Sequence, residues 1–112
     1  MSALNSSAVA STRCPISEAV LIGAWQRRSG DGFFEEMAFS IDGSRREFSS
    51  WLHHRPEIAG ATWSFKDCII GVQHPTSEEM HFSLKVSGYG NRQLRVREAG
   101  LSGVSVYRKI GQ

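Results

Sequence analysis

Four histidines are the residues with the clearest potential for metal binding or acid–base chemistry. They lie in or beside two proline-containing stretches that also hold three glutamates: His53, His54, His74 and His81, with Glu57, Glu78 and Glu79. A metal needs rigidly held ligands, but neighbouring side chains in an extended stretch point to opposite sides. Neither His-x-x-x-His nor His-x-Glu occurs. The sequence therefore predicts no metal site and no cofactor.

The two cysteines, Cys14 and Cys68, allow two interpretations. Neither has a second cysteine at zinc-ligand spacing. Cys68 begins an apolar stretch, where a free cysteine usually behaves as a small hydrophobe, so the favoured interpretation is a buried thiol at Cys68 and an exposed one at Cys14. A long-range disulfide is the alternative in an oxidising compartment. No acid–base–nucleophile arrangement is readable, so we expect a protein that is not an enzyme.

The aromatic residues are the remaining candidates for function. With 3 Trp, 2 Tyr and 6 Phe, the chain can fill a small core, and we expect a mostly packed interior with any pocket shallow and near one end. Trp51 stands beside His53, His54 and Arg55, a composition common on binding surfaces. The predicted ligand-binding residues are Trp51, Trp63, Phe39, Phe82 and His54.

Length and charge limit the classes to which this protein can belong. A chain of 112 residues, 40% of them hydrophobic, supports a single domain. No uncharged apolar run approaches the roughly 20 residues of a membrane span. The net charge is +2, and ten of the 13 basic residues are arginines scattered along the chain, so we expect no nucleic-acid partner.

Residues 1–14 are small and polar and predict a flexible tail, followed by one domain over residues 15–112. The tail lacks the basic start and apolar run of a secretory signal. Localisation stays open: cytoplasmic if Met1 is the native start, periplasmic or secreted if it replaces a removed signal.

The elements that must position these side chains are strands. After one short helical turn at 15–20, the alternation of apolar and polar residues predicts strands at 20–28, 33–41, 45–52, 61–65, 68–73, 80–87, 92–97 and 104–110. Asp42-Gly43 is the strongest hairpin signal, and residues 53–60, with Pro56, predict a loop or bent edge. In the last strand, Val104, Val106, Arg108 and Ile110 share one face.

About eight short strands joined by turns favour an all-β antiparallel up-and-down meander that closes into a barrel, with a sandwich as the alternative. Closure would make the first and last strands neighbours. An inward Trp25 could then be covered by the guanidinium of Arg108, a cation–π contact of about 1–2 kcal/mol when desolvated.

Gly23-Ala-Trp25, the middle segment Gly60-Ala-Thr-Trp63 and the ending Tyr107-Arg108-Lys109-Ile110 resemble the short bacterial lipocalin-like, calycin-type barrels over residues 20–110. The resemblance implies that Gly23, Trp25 and Arg108 form a structural signature. It also implies a non-enzymatic binding protein that holds a small apolar ligand at one barrel mouth.

The alternative function is a protein-interaction barrel, such as a protease inhibitor or assembly factor, that engages a partner through the tail or the 53–60 loop. We expect a monomer or homodimer.

Overall fold

The computed structural model describes residues 14–30, 34–52, 55–77, 81–98 and 103–111. A four-residue helix, α1, precedes eight antiparallel strands that pair in sequence order and close into one up-and-down barrel. The elements are α1 (Glu18–Leu21), β1 (Gly23–Ser29), β2 (Glu36–Asp42), β3 (Arg45–Leu52), β4 (Arg55–Lys66), β5 (Ile69–Gln73), β6 (Phe82–Gly90), β7 (Gln93–Glu98) and β8 (Ser105–Gly111). The all-β barrel and its short N-terminal helix are confirmed.

The pairing of β1 with β8 closes the barrel. Gln26 stands opposite Arg108, and Trp25 stands opposite Lys109. Every described strand has a hydrogen-bonded neighbour on each side along at least part of its length, so the described strands form one closed sheet without an edge strand. The first and last strands therefore lie side by side, as predicted from the sequence.

The core fills the barrel interior because successive strand residues alternate between the inside and the outside. Met37 and Phe39 of β2, Leu84 and Val86 of β6, and Leu94 and Val96 of β7 are all buried, as their alternation predicts. The remaining large buried side chains include Leu21, Trp25, Phe48, Trp63, Ile70, Val72 and Tyr107.

Three tight turns join the strands at one end. The β2–β3 turn is Gly43-Ser44, one residue later than predicted, and Gly43 alone has a positive φ of 66°. A positive φ at only the first turn residue is the type II′ pattern. Asp67-Cys68 and Asn91-Arg92 each have positive φ at both residues, the type I′ pattern that matches the twist of the paired strands.

Residues 53–60 are predicted to form a loop or a bent edge, and the structure supports the edge for the described part: β4 begins at Arg55, and its pairing with β3 shifts register twice. Residues 53 and 54 lie outside the described residues. Proline cannot donate a ladder hydrogen bond and is tolerated where one side of a strand is unpaired. β5 covers only Thr62 to Lys66 of β4, so the first half of β4, including Pro56, is paired with β3 alone.

The predicted apolar face of β8 is also wrong. Val104 and Ile110 are among the exposed large hydrophobic residues, and Arg108 is exposed as well, whereas Ser105 and Tyr107 are buried. The inner face of β8 is therefore Ser105, Tyr107 and Lys109. Val106 and Ile110 lie on the outward face and only Tyr107 is an apolar residue of the inward face, so the alternation of apolar residues favoured the wrong face.

The cysteines form a disulfide, which overturns the favoured interpretation of two free thiols. Cys14 and Cys68 are joined across 54 residues of sequence. The bond ties the start of the described chain to the β4–β5 turn, so Cys14 is not part of a free tail. Residues 1–13 of the predicted tail lie outside the described residues.

Candidate functional site: the loop end of the barrel

The two ends of the barrel are built differently. The three tight turns, the segment 14–22 and the end of β8 lie at one end, which we call the hairpin end. The connections at 30–35, 53–54, 74–81 and 99–104 lie at the other, which we call the loop end. In a barrel of about eight strands, the interior is just wide enough for side chains or one small ligand, so access to it depends on these two ends.

Segment 14–22 closes the hairpin end. The indole Nε1 of Trp25 donates a hydrogen bond to the Leu21 carbonyl at 2.9 Å, and Leu21 is fully buried. Glu18 forms an ion pair with Arg46, whose guanidinium carbon lies 5.3 Å from the Trp63 ring centroid. With the disulfide, these contacts leave this end covered by the chain itself.

The cation over Trp25 is Lys109, which corrects the prediction of Arg108. The Nζ of Lys109 lies 5.2 Å from the Trp25 ring centroid and donates to the Val20 carbonyl at 2.8 Å. Arg108, one residue earlier, points outward because strand residues alternate. Gly23 begins β1 with φ 128°, a value that favours glycine, where the chain passes from α1 into the barrel.

Among the described residues, Phe34 is the aromatic side chain of the β1–β2 connection that packs across the loop end. It comes from the β1–β2 connection, is 5% exposed, and packs its ring 5.9 Å from that of Phe48 and 5.3 Å from that of Phe82, between centroids. Its backbone carbonyl accepts hydrogen bonds from the Arg27 guanidinium at 3.1 Å and the Tyr107 hydroxyl at 3.0 Å. Phe34 therefore reaches from β1 and β8 across to β3 and β6.

A buried polar group stands beneath this side chain. The Tyr107 hydroxyl lies 3.3 Å from Oε2 of Glu98, and Glu98 is only 1% exposed. Burial raises the pKa of Tyr107 above its ordinary value of 10.0, and the charge of Glu98 raises it further, while Arg27 opposes the shift. The phenol is therefore held neutral and keeps its proton for hydrogen bonding.

Ser50 is a second buried polar residue near this end. It is fully buried on the inner face of β3, opposite Met37 and Ile58, and its hydroxyl has no hydrogen-bond partner among the described residues. A buried hydroxyl without a partner costs about 1–3 kcal/mol. The Ser50 hydroxyl is therefore available to form a hydrogen bond with a molecule that enters the barrel.

The predicted ligand-binding residues do not form one site. Phe39 and Trp63 are buried and pack against each other, with ring centroids 5.2 Å apart, so they belong to the core. Phe82 contacts Phe34 and Phe48 at the mouth, and Trp51 is half-buried near the end of β3. His54 lies outside the described residues.

The described histidines do not form a catalytic or metal-binding group. The Nδ1 of His74 accepts hydrogen bonds from the backbone N–H groups of Thr76 and Ser77, each at 3.2 Å, and so shapes a turn. His81 is exposed. Within the described part of the chain, no three His, Cys, Asp or Glu side chains come together to hold a metal ion.

Phe34, Ser50, Glu98 and Tyr107 are the mouth residues that the sequence reasoning missed. Glu98 continues the inward alternation of Leu94 and Val96, so it could have been recognised as an inward residue. Phe34 had no such signal, because it lies on a connection and its burial depends on contacts with β3 and β6.

The fold defines a class, a closed eight-stranded antiparallel barrel consistent with a calycin-like fold. No protein-family model matches the sequence, and comparisons with curated proteins and with solved structures find no match. Within the described residues, no helix is long and apolar enough to cross a bilayer.

Proposed function

We propose that this chain is a non-enzymatic, lipocalin-like binding protein that takes a small, largely apolar ligand at the loop-end mouth. The observation that carries the proposal is the position of Phe34. Its ring is the only part of the described β1–β2 connection that packs on both Phe48 and Phe82, so it occupies the place that an aromatic ligand would take.

The groups around Phe34 indicate which ligand would fit. Phe48 and Phe82 offer ring faces and edges for an aromatic or planar apolar group. Ser50 supplies one unused hydroxyl, which suits a ligand with a single polar atom. Ligand sites of this kind are mostly apolar with few polar groups that fix orientation.

The proposal that the protein is not an enzyme is supported by the state of its reactive groups. Both cysteines are consumed in the disulfide, so neither is a thiol nucleophile. Tyr107 is held protonated, and His74 is engaged in a turn. The disulfide also supports the periplasmic or secreted alternative, because such bonds persist in oxidising compartments.

The test compares wild type with Phe34→Ala in titrations with N-phenyl-1-naphthylamine, an uncharged aromatic probe that fluoresces in apolar surroundings. If the ligand replaces the Phe34 ring, wild type must first displace that ring, so its apparent affinity is reduced. We expect Phe34→Ala to bind the probe at least about tenfold more tightly than wild type.

Phe65→Ala is the matched control, because it removes a half-buried ring near the hairpin end of β4. It should leave the affinity for the probe within about twofold of wild type. An equal gain in both variants would show that the probe fills any cavity, and no binding by Phe34→Ala would refute the site at the mouth.

A further inference from the structure

The outer wall of the barrel carries a cluster of exposed cations. On β6, β7 and β8, and at the adjoining end of β1, five basic side chains point outward into solvent, and we call this surface the basic wall. Its residues are Lys85, Arg95, Arg97, Arg108 and Arg28. They come from four strands, and the pairing of β6 with β7, β7 with β8 and β8 with β1 brings them onto one side.

The basic wall contains no compensating carboxylate among its described residues. The only acidic residue of β6, β7 and β8 is Glu98, which points into the barrel and is buried. The ion pairs Arg45–Glu47 and Arg46–Glu18 lie on other strands of the barrel. The wall therefore has a strong local positive charge, although the whole chain has a net charge of only +2.

The strand register places two of these cations directly opposite each other. Lys85 of β6 faces Arg97 of β7 in the ladder, and both are exposed. Like charges at directly opposed positions of a ladder repel each other and destabilise the sheet. Folding alone does not account for this arrangement, whereas binding to an anionic partner would relieve the repulsion.

The arginines surround an exposed apolar stripe on β8. Val104 and Ile110 are 36% and 49% exposed, and Val106 lies between them, opposite Arg95. The stem of Arg95 crosses Gly88, where an added methyl group would lie 3.6 Å from the arginine Cδ. Because its stem rests on the sheet, the Arg95 guanidinium loses less freedom when it binds a partner.

We propose that the basic wall docks an acidic segment of a partner protein, with carboxylates on the arginines and apolar side chains on the β8 stripe. Arginine suits this role because its planar guanidinium binds a carboxylate through two parallel hydrogen bonds. An apolar centre with a charged rim is the usual anatomy of a protein interface. Single-stranded nucleic acids need aromatic platforms, and the five cations and the β8 stripe supply none.

This docking surface is independent of the proposed ligand site. The cations point outward, whereas Phe34, Ser50 and Tyr107 are buried inside. Failure of probe binding at the mouth would therefore not contradict docking at the basic wall. Failure of peptide binding at the wall would likewise not contradict the ligand site.

The test measures binding of a labelled peptide of alternating Glu and Val residues by fluorescence anisotropy, at low and at high NaCl. Alternation places the carboxylates on one face of an extended peptide and the valines on the other. We expect wild type to bind the peptide, with an affinity that falls as salt rises. Arg95→Gln with Arg97→Gln should weaken binding at least about tenfold.

The matched control is Ser44→Glu with Gln73→Glu, which changes the net charge equally through exposed residues outside the wall. It should weaken binding less than about twofold. Equal losses in both variants would show a general charge effect and overturn the proposal. Tighter wild-type binding to phosphatidylglycerol vesicles or to a short DNA duplex than to the peptide would also overturn it.

A second measurement uses wild type alone, so its outcome does not depend on whether the variants fold. Amide chemical shifts of wild type, titrated with the peptide, should change along β7 and β8 and not along β2 and β3. Shifts confined to β2 and β3, or none at saturating peptide, would contradict docking at the basic wall.

Discussion

The hairpin end and the loop end of this barrel differ in how each is closed. At the hairpin end, a disulfide, an ion pair and two hydrogen bonds to backbone carbonyls hold segment 14–22 in place. At the loop end, one phenyl ring from a connection covers the mouth, held by two hydrogen bonds to its own carbonyl. A disulfide and an ion pair make the closure of the hairpin end stable, whereas a closure by one described ring is easier to open.

The two ends also differ in whether their buried polar groups have hydrogen-bond partners. The Trp25 indole and the Lys109 amine each donate to a backbone carbonyl at the hairpin end. Near the loop end, Ser50 is buried without a partner, and Glu98 is a buried carboxyl beside a neutral phenol. Groups that reduce stability are commonly retained where they serve binding. The comparison therefore assigns the stabilising contacts to the hairpin end and agrees with the proposal of a ligand site at the loop end.

The largest expected effect is loss of the disulfide. Replacing Cys14 and Cys68 together by Ser should lower the free energy of unfolding by about 4 kcal/mol, because the bond closes a long loop in the unfolded chain. Guanidinium denaturation measures the change. Wild type under reducing conditions is the control and should fall by a similar amount. An unchanged midpoint would mean that the hairpin end does not depend on this bond.

A second prediction concerns alkaline pH at the loop end. Because burial raises the pKa of Tyr107 in the folded state, the unfolded chain loses this proton first, and stability falls as pH rises above 10. The loss should approach about 1.4 kcal/mol per pH unit in that range. Tyr107→Phe removes this titration and should flatten the dependence of the urea midpoint on pH, whereas Tyr89→Phe should retain the wild-type decline.

A third prediction separates Lys109 from Arg108. Lys109→Met removes the contact with Trp25 and the hydrogen bond to Val20, so it should destabilise the protein by about 1 kcal/mol. Arg108→Met changes an exposed residue and should stay within about 0.5 kcal/mol of wild type. Thermal melts of the two variants measure the difference, and the opposite order would restore Arg108 as the cation over the indole.

The smallest expected effect is a gain in stability. Ser50→Ala removes a buried hydroxyl without a partner and should raise the free energy of unfolding by up to about 1 kcal/mol. Phe34→Ala with Ser50→Ala should then bind 1-naphthol more weakly than Phe34→Ala alone, while naphthalene binding stays equal. A loss of stability in Ser50→Ala would indicate that the hydroxyl is hydrogen-bonded in solution.

Much of the fold could be predicted because alternation is a local signal. The inward sets of β2, β6 and β7 follow from apolar residues at every second position, and turn residues mark the strand ends. β8 could not be oriented this way, since apolar residues occur on both of its faces. The sequence did not predict the full extent of β4. Whether a strand tolerates Pro56 depends on whether both of its sides are paired, and the sequence does not show that pairing.

The site was less predictable than the fold. Phe39, Trp63 and Phe82 were predicted to bind a ligand, but their sequence positions do not reveal that Phe39 and Trp63 pack together in the core while Phe82 packs against Phe34. The basic wall could not be predicted from the sequence for a similar reason. Its cations are scattered along the chain and meet only when neighbouring strands pair in one register.

The sequence by itself determined eight strands in an antiparallel meander, because residue alternation and turn chemistry act over a few neighbouring residues, whereas the pairing of β1 with β8 decided for the barrel over the sandwich. Only the tertiary structure decided which cation covers Trp25, that Cys14 joins Cys68, and that Phe34 covers the mouth. Each of these contacts joins distant parts of the chain, and its geometry depends on strand register, which local residue preferences do not specify.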